Sequence, residues 1–341
     1  MSPHTSSPPP SKSESPKTFK LATRGSPLAM WQANFVAEQL RARGHTIEIK
    51  TFKTTGDIVQ DRFLHEIGGK GLFIKELEEA MLAGEAHLAV HSLKDLPARI
   101  PSQFQLAAVL KRHESSDVIV FSETFGKRCG LNPNTLVSEG ILRSLGPLTV
   151  ATSSLRRQSL LAGSCPDIKT VPVRGNVNTR LHKLNTEGWQ ALILAEASLE
   201  RLELTSLPSH RLDPNWFVPC AGQGALAIET LANSPAYEVV RQLECSETRQ
   251  AVNIERSVLA RLGGDCTMPF GCLITNDKRH TNHLLARAVV LDSDGNSAKS
   301  VKEINRDSKN IEFALEELII DELRRNNANG ILARLGIAVR I

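Results

Sequence analysis

"FKLATRGSPLAMWQANFVAEQLRARGHTIEIKTFKT", residues 19–54, changes hydrophobic period twice, and the two changes decide the fold class. "FKLATRG" is a short apolar run stopped by Gly25, which predicts a strand ending in a turn. "PLAMWQANFVAEQLRARG" follows with Pro27 at a helix start and Gly44 past its end, the usual placement of both residues. "TIEIKTFKT" then alternates with a period of two, as a strand does. Strand, helix and strand in one stretch predict an α/β layer with a mostly parallel sheet.

The same alternation continues outward. "GGKGLFIKELEEAMLAGE" is a glycine-rich loop entering a helix with Phe73, Leu77, Ala80 and Met81 on one face, and "AHLAVHSL" returns as a buried strand. From about residue 115 it restarts: "SDVIVFS" and "LTVATSS" as strands, "LRRQSLLAG" as a helix, "KTVPVRG" as a strand, "NVNTRLHKLN" as a helix and "WQALILAEA" as a strand. "FVPCAGQGALAIE" predicts one more strand and glycine turn, by which the chain crosses back to the first domain. Beyond residue 245 the pattern becomes helix, strand, hairpin and helix. The expected domains are a disordered tail at 1–18, domain 1 at 19–114 and 219–242, domain 2 at 115–218, and an α+β domain 3 at 243–341.

Composition narrows the class. The chain has 341 residues, 41% hydrophobic and 23% charged, ordinary values for a globular protein with two or three domains. With 41 basic against 37 acidic residues, a net charge of +4 does not mark a nucleic-acid binder, so any anion site must come from where the arginines sit. The Ser/Pro-rich start "MSPHTSSPPPSKSESPKT" has no apolar run and no Arg, which argues against a secretory or matrix-targeting leader. No apolar stretch is long enough to suggest a membrane span, and the expected location is the cytoplasm. The six cysteines form no CxxC pair and are expected to be free thiols. Cys266 and Cys272 are not spaced as structural zinc ligands, with no His before His280 and His283, so no metal is expected.

Basic and hydroxyl-bearing residues gather where the strands end: Arg24 and Ser26, then Ser153, Ser154, Arg156 and Arg157, then Arg174, Asn176 and Arg180. Lys70 in "GGKG" adds a fourth cation-bearing stretch, although it lacks the spacing and GKS/GKT ending of a P-loop. In open α/β sheets ligands bind beyond the carboxyl ends of strands, and arginine forks suit carboxylates or phosphates. Two arginines in the first turn of a helix oppose its dipole, which points to an anion beside them. Taken singly, each is more often a solvated surface charge. Asp95, in "AVHSLKDLP" after a buried strand, is either a turn cap or a carboxylate that stabilises a cation and moves protons. Cys266, on the glycine turn of "LGGDCTMPFGC", is either a small buried hydrophobe or a chemically used thiol without an identifiable His partner. These residues describe a two-lobed protein that grips a polyanion and leave binding module and enzyme both open.

The ordered set "LATRGSPLAMWQA", "TTGD", "GGKGLFIKELEEAML", "AVHSLKDLP", "TSSLRRQSLL", "VRGNVNTRL", "AGQGALAIE" and "ERSVLARLGGDCTMPFG" closely resembles the hydroxymethylbilane synthase (porphobilinogen deaminase) family, from about residue 19 onward and more weakly after about 275. The resemblance implies two periplasmic-binding-protein-like α/β domains facing across a cleft, plus a small α+β domain. It implies a transferase that condenses four porphobilinogen molecules head to tail into hydroxymethylbilane, releasing ammonia, on a dipyrromethane cofactor joined by a thioether to Cys266. It also implies Asp95 as the catalytic carboxylate. Arg24, Ser26, Lys94, Ser154, Arg156, Arg157, Arg174, Arg180 and Gln223 would contact cofactor or substrate, and Lys70 and Phe73 would lie on a mobile loop. The implied partner is porphobilinogen alone, without nucleic acid or membrane, for a monomer. A cofactor extended by four pyrroles carries about twelve carboxylates at two per pyrrole, which accounts for so many arginine forks. The sequence departs from the family at Asp265, where Gly usually precedes the cysteine and where the acid should raise the thiol pKa. It also departs at Asn178 and Ser198, usual glycines, and at "RHESSD".

Overall fold

The computed structural model describes residues 18–54, 74–132, 135–264, 268–338 and 341. The first unit runs β1 (Thr18–Arg24), α1 (Pro27–Arg41), β2 (Thr46–Phe52), α2 (Lys75–Leu82), β3 (Leu88–Ser92) and β4 (Phe104–Val109). Ser26 starts α1 by accepting a hydrogen bond from the Ala29 amide at 3.3 Å, with Pro27 in the first turn. The apolar face of α1, Ala33, Val36, Ala37 and Leu40, packs on Phe19, Leu21, Leu88 and Val90 of the sheet. Leu77, Ala80 and Met81 are buried on α2 as their spacing required.

The second unit repeats this plan with β5 (Asp117–Phe121), α3 (Glu123–Gly126), α4 (Glu139–Ser144), β6 (Leu148–Ala151), α5 (Leu155–Ser164), β7 (Ile168–Val171), α6 (Val177–Thr186), β8 (Ala191–Ala195), α7 (Glu196–Arg201) and β9 (Ser209–Arg211). The chain then returns as β10 (Leu226–Leu231), followed by α8 (Ala236–Val240). The first sheet has the order β2-β1-β3-β10-β4 and the second β7-β6-β8-β5-β9. In each, four of the five strands run in one direction and the remaining one, β10 or β5, runs antiparallel to both of its neighbours. The inner strands are apolar runs because both of their faces are covered, and β5 and β8 are buried at every residue, whereas the edge strand β2 alternates.

The last part comprises α9 (Ser246–Arg261), an antiparallel sheet of β11 (Phe270–Asn276), β12 (His283–Leu291) and β13 (Ser297–Asn305), then α10 (Ile311–Arg325) and α11 (Ala328–Arg334). Its core joins Ile254 and Val258 of α9 to Cys272, Ala286 and Ala288 of the sheet and Leu315, Ile319 and Leu323 of α10. The mixed α/β architecture expected from the sequence is the one observed. No helix among the described residues is long and apolar enough to cross a membrane.

Several contacts tie this last part to the α/β units, among them those of Glu255 and Gly163. Glu255 of α9 is fully buried and accepts from the Arg112 guanidinium at 2.6 and 3.1 Å, from the Gly222 amide at 2.7 Å and from the Ile274 amide at 2.9 Å. One carboxylate thus joins the strand leaving the first sheet, the segment returning to it, and β11. Elsewhere the backbones of α5 and the β12–β13 turn touch: a Cβ on Gly163 would lie 2.4 Å from the Gly295 carbonyl oxygen, and Gly295 has φ +83°. Gly163→Ala is expected to cost about 1–3 kcal/mol by overpacking. Equilibrium denaturation measures it, and unchanged stability would mean this contact does not hold in solution.

Candidate active site

Six segments bring their carboxyl-end loops to one cleft of about 500 Å³ between the two α/β units. From the first unit come Arg24, Gly25 and Ser26 after β1, Phe52 and Lys53 at the end of β2, and Ser92, Lys94 and Asp95 after β3. From the second come Arg157 on α5, Arg174 to Val177 and Arg180 after β7, and Leu194, Ala195 and Ser198 around the end of β8. The placement follows from the parallel strands, whose carboxyl ends all open to one side with helix amino ends beside them.

Local structure fixes several of these groups. Asp95 closes a single 3₁₀ turn, Leu93–Asp95, whose Leu93 is buried while Asp95 itself is exposed to the cleft. Asn176 caps α6 by accepting from the Thr179 amide at 2.9 Å. Gly175 before it has φ +108°, and a Cβ there would strike Thr179 at 2.7 Å. One turn later Arg180 folds back, its Nε donating to the Gly175 carbonyl at 2.8 Å. Ser153 pins β6 to the strand beside it, exchanging hydrogen bonds with the Val173 backbone at 2.8 and 2.9 Å.

The balance of charge is one-sided. Among the described residues, Arg24, Lys53, Lys94, Arg157, Arg174 and Arg180 line the cleft against the single carboxylate of Asp95. Burial pushes the Arg180 guanidinium down to about 10, and Arg157 and Arg174 add to the shift while Asp95 opposes it. Burial likewise lowers the Lys94 ammonium, with Asp95 opposing and Arg157 reinforcing. Cations crowded enough to depress one another are stabilised by an arriving polyanion. A dipyrromethane, which bears several carboxylates, fits this donor set.

Arg156 and Arg157 are placed differently from the other cations. Arg156 Nη1 lies 2.8 Å from Asp117 Oδ2 and also donates to the Val218 carbonyl at 2.8 Å. Arg157 donates from Nη2 and Nε to Asp117 Oδ1 at 2.7 and 3.1 Å and from Nη1 to the Ile193 carbonyl at 2.8 Å. The anion offsetting these helix-start arginines is therefore a carboxylate of the chain itself. Burial would raise the Asp117 carboxyl, but the two guanidiniums overcome it and hold it well below the usual carboxylate range. Arg157 also faces the cleft; Arg156, Ser154 and Gln223 are not among its lining residues. Gln223 instead bridges, donating to the Ser115 carbonyl at 2.7 Å and to Asp117 at 3.1 Å while accepting from Lys94 at 3.2 Å.

Sequence reasoning missed Asp117 and Arg201. The one signal for Asp117 was a lone acid opening the apolar run "DVIVF". Arg201 on α7 donates to the Gly224 carbonyl at 2.7 Å and stands 5.8 Å from the centre of the Trp31 ring on α1, so it ties the two units together behind the cleft. Lys70, Phe73, Asp265 and Cys266 lie outside the described residues.

Two α/β units of matching topology, facing across a cleft lined by cations, define a two-lobed protein made to hold a multiply charged anion. Residues 19–238 match the family model described as "Porphobilinogen deaminase, dipyromethane cofactor binding domain". The porphobilinogen deaminase of a Nitratiruptor species is 38% identical over 92% of this chain and 96% of its own length. That of Bordetella parapertussis is 39% identical over 92% and 95% respectively. Among solved structures, the probable amino-acid ABC transporter extracellular-binding protein ytmK of Bacillus subtilis matches 73% of this chain and 99% of its own at 11% identity and a TM-score of 0.42. The chain belongs to the porphobilinogen deaminase family. Membership makes it a transferase of tetrapyrrole biosynthesis that carries a dipyrromethane cofactor.

Proposed function

We propose that the chain joins four porphobilinogen molecules into hydroxymethylbilane in this cleft, with Asp95 as the catalytic carboxylate and Cys266 as the cofactor attachment point. The observation that carries the proposal is one exposed carboxylate on a rigid turn, set in a cleft otherwise lined by cations. When bound, the dipyrromethane supplies the pyrrole carbon from which the chain grows. Arg24, Ser26, Arg174 and Arg180 hold acetate and propionate groups, so that substrate is oriented by its carboxylates and its aminomethyl end faces Asp95. Loss of ammonia from that end leaves a cation, which the Asp95 carboxylate stabilises; after carbon–carbon bond formation the same group accepts the proton released from the attacking pyrrole. Lys94 acts beside it, held by Gln223. Arg156, Arg157 and Gln223 act chiefly by fixing the lobe junction through Asp117, with Arg157 also reaching ligand.

The domain limits are proposed as 19–114 with 219–242, 115–218 and 243–341. The enzyme is placed in the cytoplasm and works as a monomer, without nucleic acid or membrane. Intact mass under denaturing conditions tests the attachment. The expected result is an added mass of two linked pyrrole units on the active protein, absent from Cys266→Ser and retained in Cys272→Ser. Activity is followed in the same preparation as ammonia release and oxidised uroporphyrin from porphobilinogen. A fully loaded protein that releases no ammonia would mean that the cleft binds without turnover.

A further inference from the structure

The turn bearing Asp95 rests on a helix from another part of the chain. Leu93 and Leu96, on either side of Lys94 and Asp95, pack in one buried cluster with Val252 of α9. One helical turn later Arg256 reaches the same loop: its Nη2 donates to the Pro97 carbonyl at 2.8 Å and to the Ala98 carbonyl at 3.1 Å. Ala98 packs against the core that α9 shares with β11 and α10. The residue is 8% exposed; burial and then Arg249 push its guanidinium down to about 10, and the carboxylate of Glu229, fully buried on β10, opposes that shift. Its neighbour Glu255 anchors the same helix to β11 and to the segment returning to the first sheet.

We infer that Arg256 is a positioning residue for the reaction, a strut that holds the Asp95 turn against α9 and so sets where the carboxylate stands in the cleft. Backbone carbonyls are its partners, so the loop's path is fixed whatever side chains it carries. A guanidinium suits the task because one nitrogen reaches two successive carbonyls while the planar group keeps its direction. An ammonium on a flexible stem has donors enough for both carbonyls but holds no fixed direction, so it would define the loop's place less sharply. An error of about 1 Å in a reacting group costs on the order of a hundredfold in rate, so loss of the strut should appear in turnover and not in substrate affinity, which the cleft arginines set.

The inference rests on Asp95 being the catalytic carboxylate. The test uses cofactor-loaded protein, its loading confirmed by mass, and compares Arg256→Gln and Arg256→Lys with wild type. Arg256→Gln is expected to lower kcat about tenfold with KM within about twofold, and Arg256→Lys to recover part of the loss, at about threefold below wild type. Wild-type kcat in either variant, or a loss that only tracks the folded fraction seen by circular dichroism, would overturn the strut. Should Arg256→Gln not fold, the kcat and KM of Arg256→Lys decide the matter alone. Asp95→Asn in parallel separates the two ideas: wild-type turnover there removes the role of Asp95, whereas an inactive Asp95→Asn beside a fully active Arg256→Gln removes only the strut.

Discussion

Asp95→Asn is expected to fold normally, keep its cofactor and lose at least about a hundredfold in turnover, within the range a positioned general acid–base group contributes. The amide has the size of the carboxylate, and the turn that holds residue 95 depends on Leu93 and the backbone, not on the Asp95 side chain. Stability should therefore change by no more than about 0.5 kcal/mol, as for other surface substitutions. What changes is charge. Among the described residues, Asp95 is the only carboxylate lining a cleft with six cations, and no other lining residue there offers a negative group for a developing cation or a basic oxygen for its proton. Substrate carboxylates still meet the same arginines, so KM should move little while kcat falls. Ammonia release from porphobilinogen by cofactor-loaded protein gives the answer, and turnover within threefold of wild type would sink the assignment.

The sequence disclosed those parts of the molecule that repeat locally. Pro27 at the start of α1, the Leu77, Ala80 and Met81 face of α2 and the alternation of β2 each occupy one window of chain, and all three appear where expected. Arginines at strand ends were legible for the same reason, because a parallel sheet brings every carboxyl end to one side. Long-range pairing left no such trace. Asp117 meets Arg156 and Arg157 across about forty residues of chain, and nothing periodic links them. The conflict of two arginines with the helix dipole was visible and pointed to an anion, yet it could not tell a ligand carboxylate from one supplied by β5. β13, the return strand of the expected hairpin, is weakly marked in sequence because it is an edge strand whose outward residues, Val301 apart, are polar, among them Lys299 and Glu303, which is how edges are kept from pairing with other chains. The Arg256 contact was invisible because its acceptors are backbone carbonyls.

Asp117→Asn is the second large effect, and here the loss is in stability. The wild-type carboxylate is fully buried and answers two guanidiniums that are themselves less than a tenth exposed. Removing its charge leaves both cations in the interior without an anion, and breaking a buried pair in this way costs about 3–5 kcal/mol. Direction with pH follows from the depressed Asp117 carboxyl. Its stabilisation is complete above the unfolded value of about 3.9 and is lost as pH falls from there through the folded value, since the unfolded chain then takes up the proton first. Wild type should thus forfeit about 1.4 kcal/mol of this group's contribution for each pH unit below about 3.9, while the variant, having no proton to bind at residue 117, does not. Urea denaturation at pH 7 and at pH 3 measures both quantities: the gap between the two proteins should be several kcal/mol at pH 7 and narrower by about 1 kcal/mol at pH 3. A gap below about 1 kcal/mol at pH 7, the size of an exposed pair, would mean that water reaches the triad in solution. Because Arg157 faces the cleft from the same triad, the variant should also bind porphobilinogen more weakly, so that one buried acid supports the fold and the ligand site together.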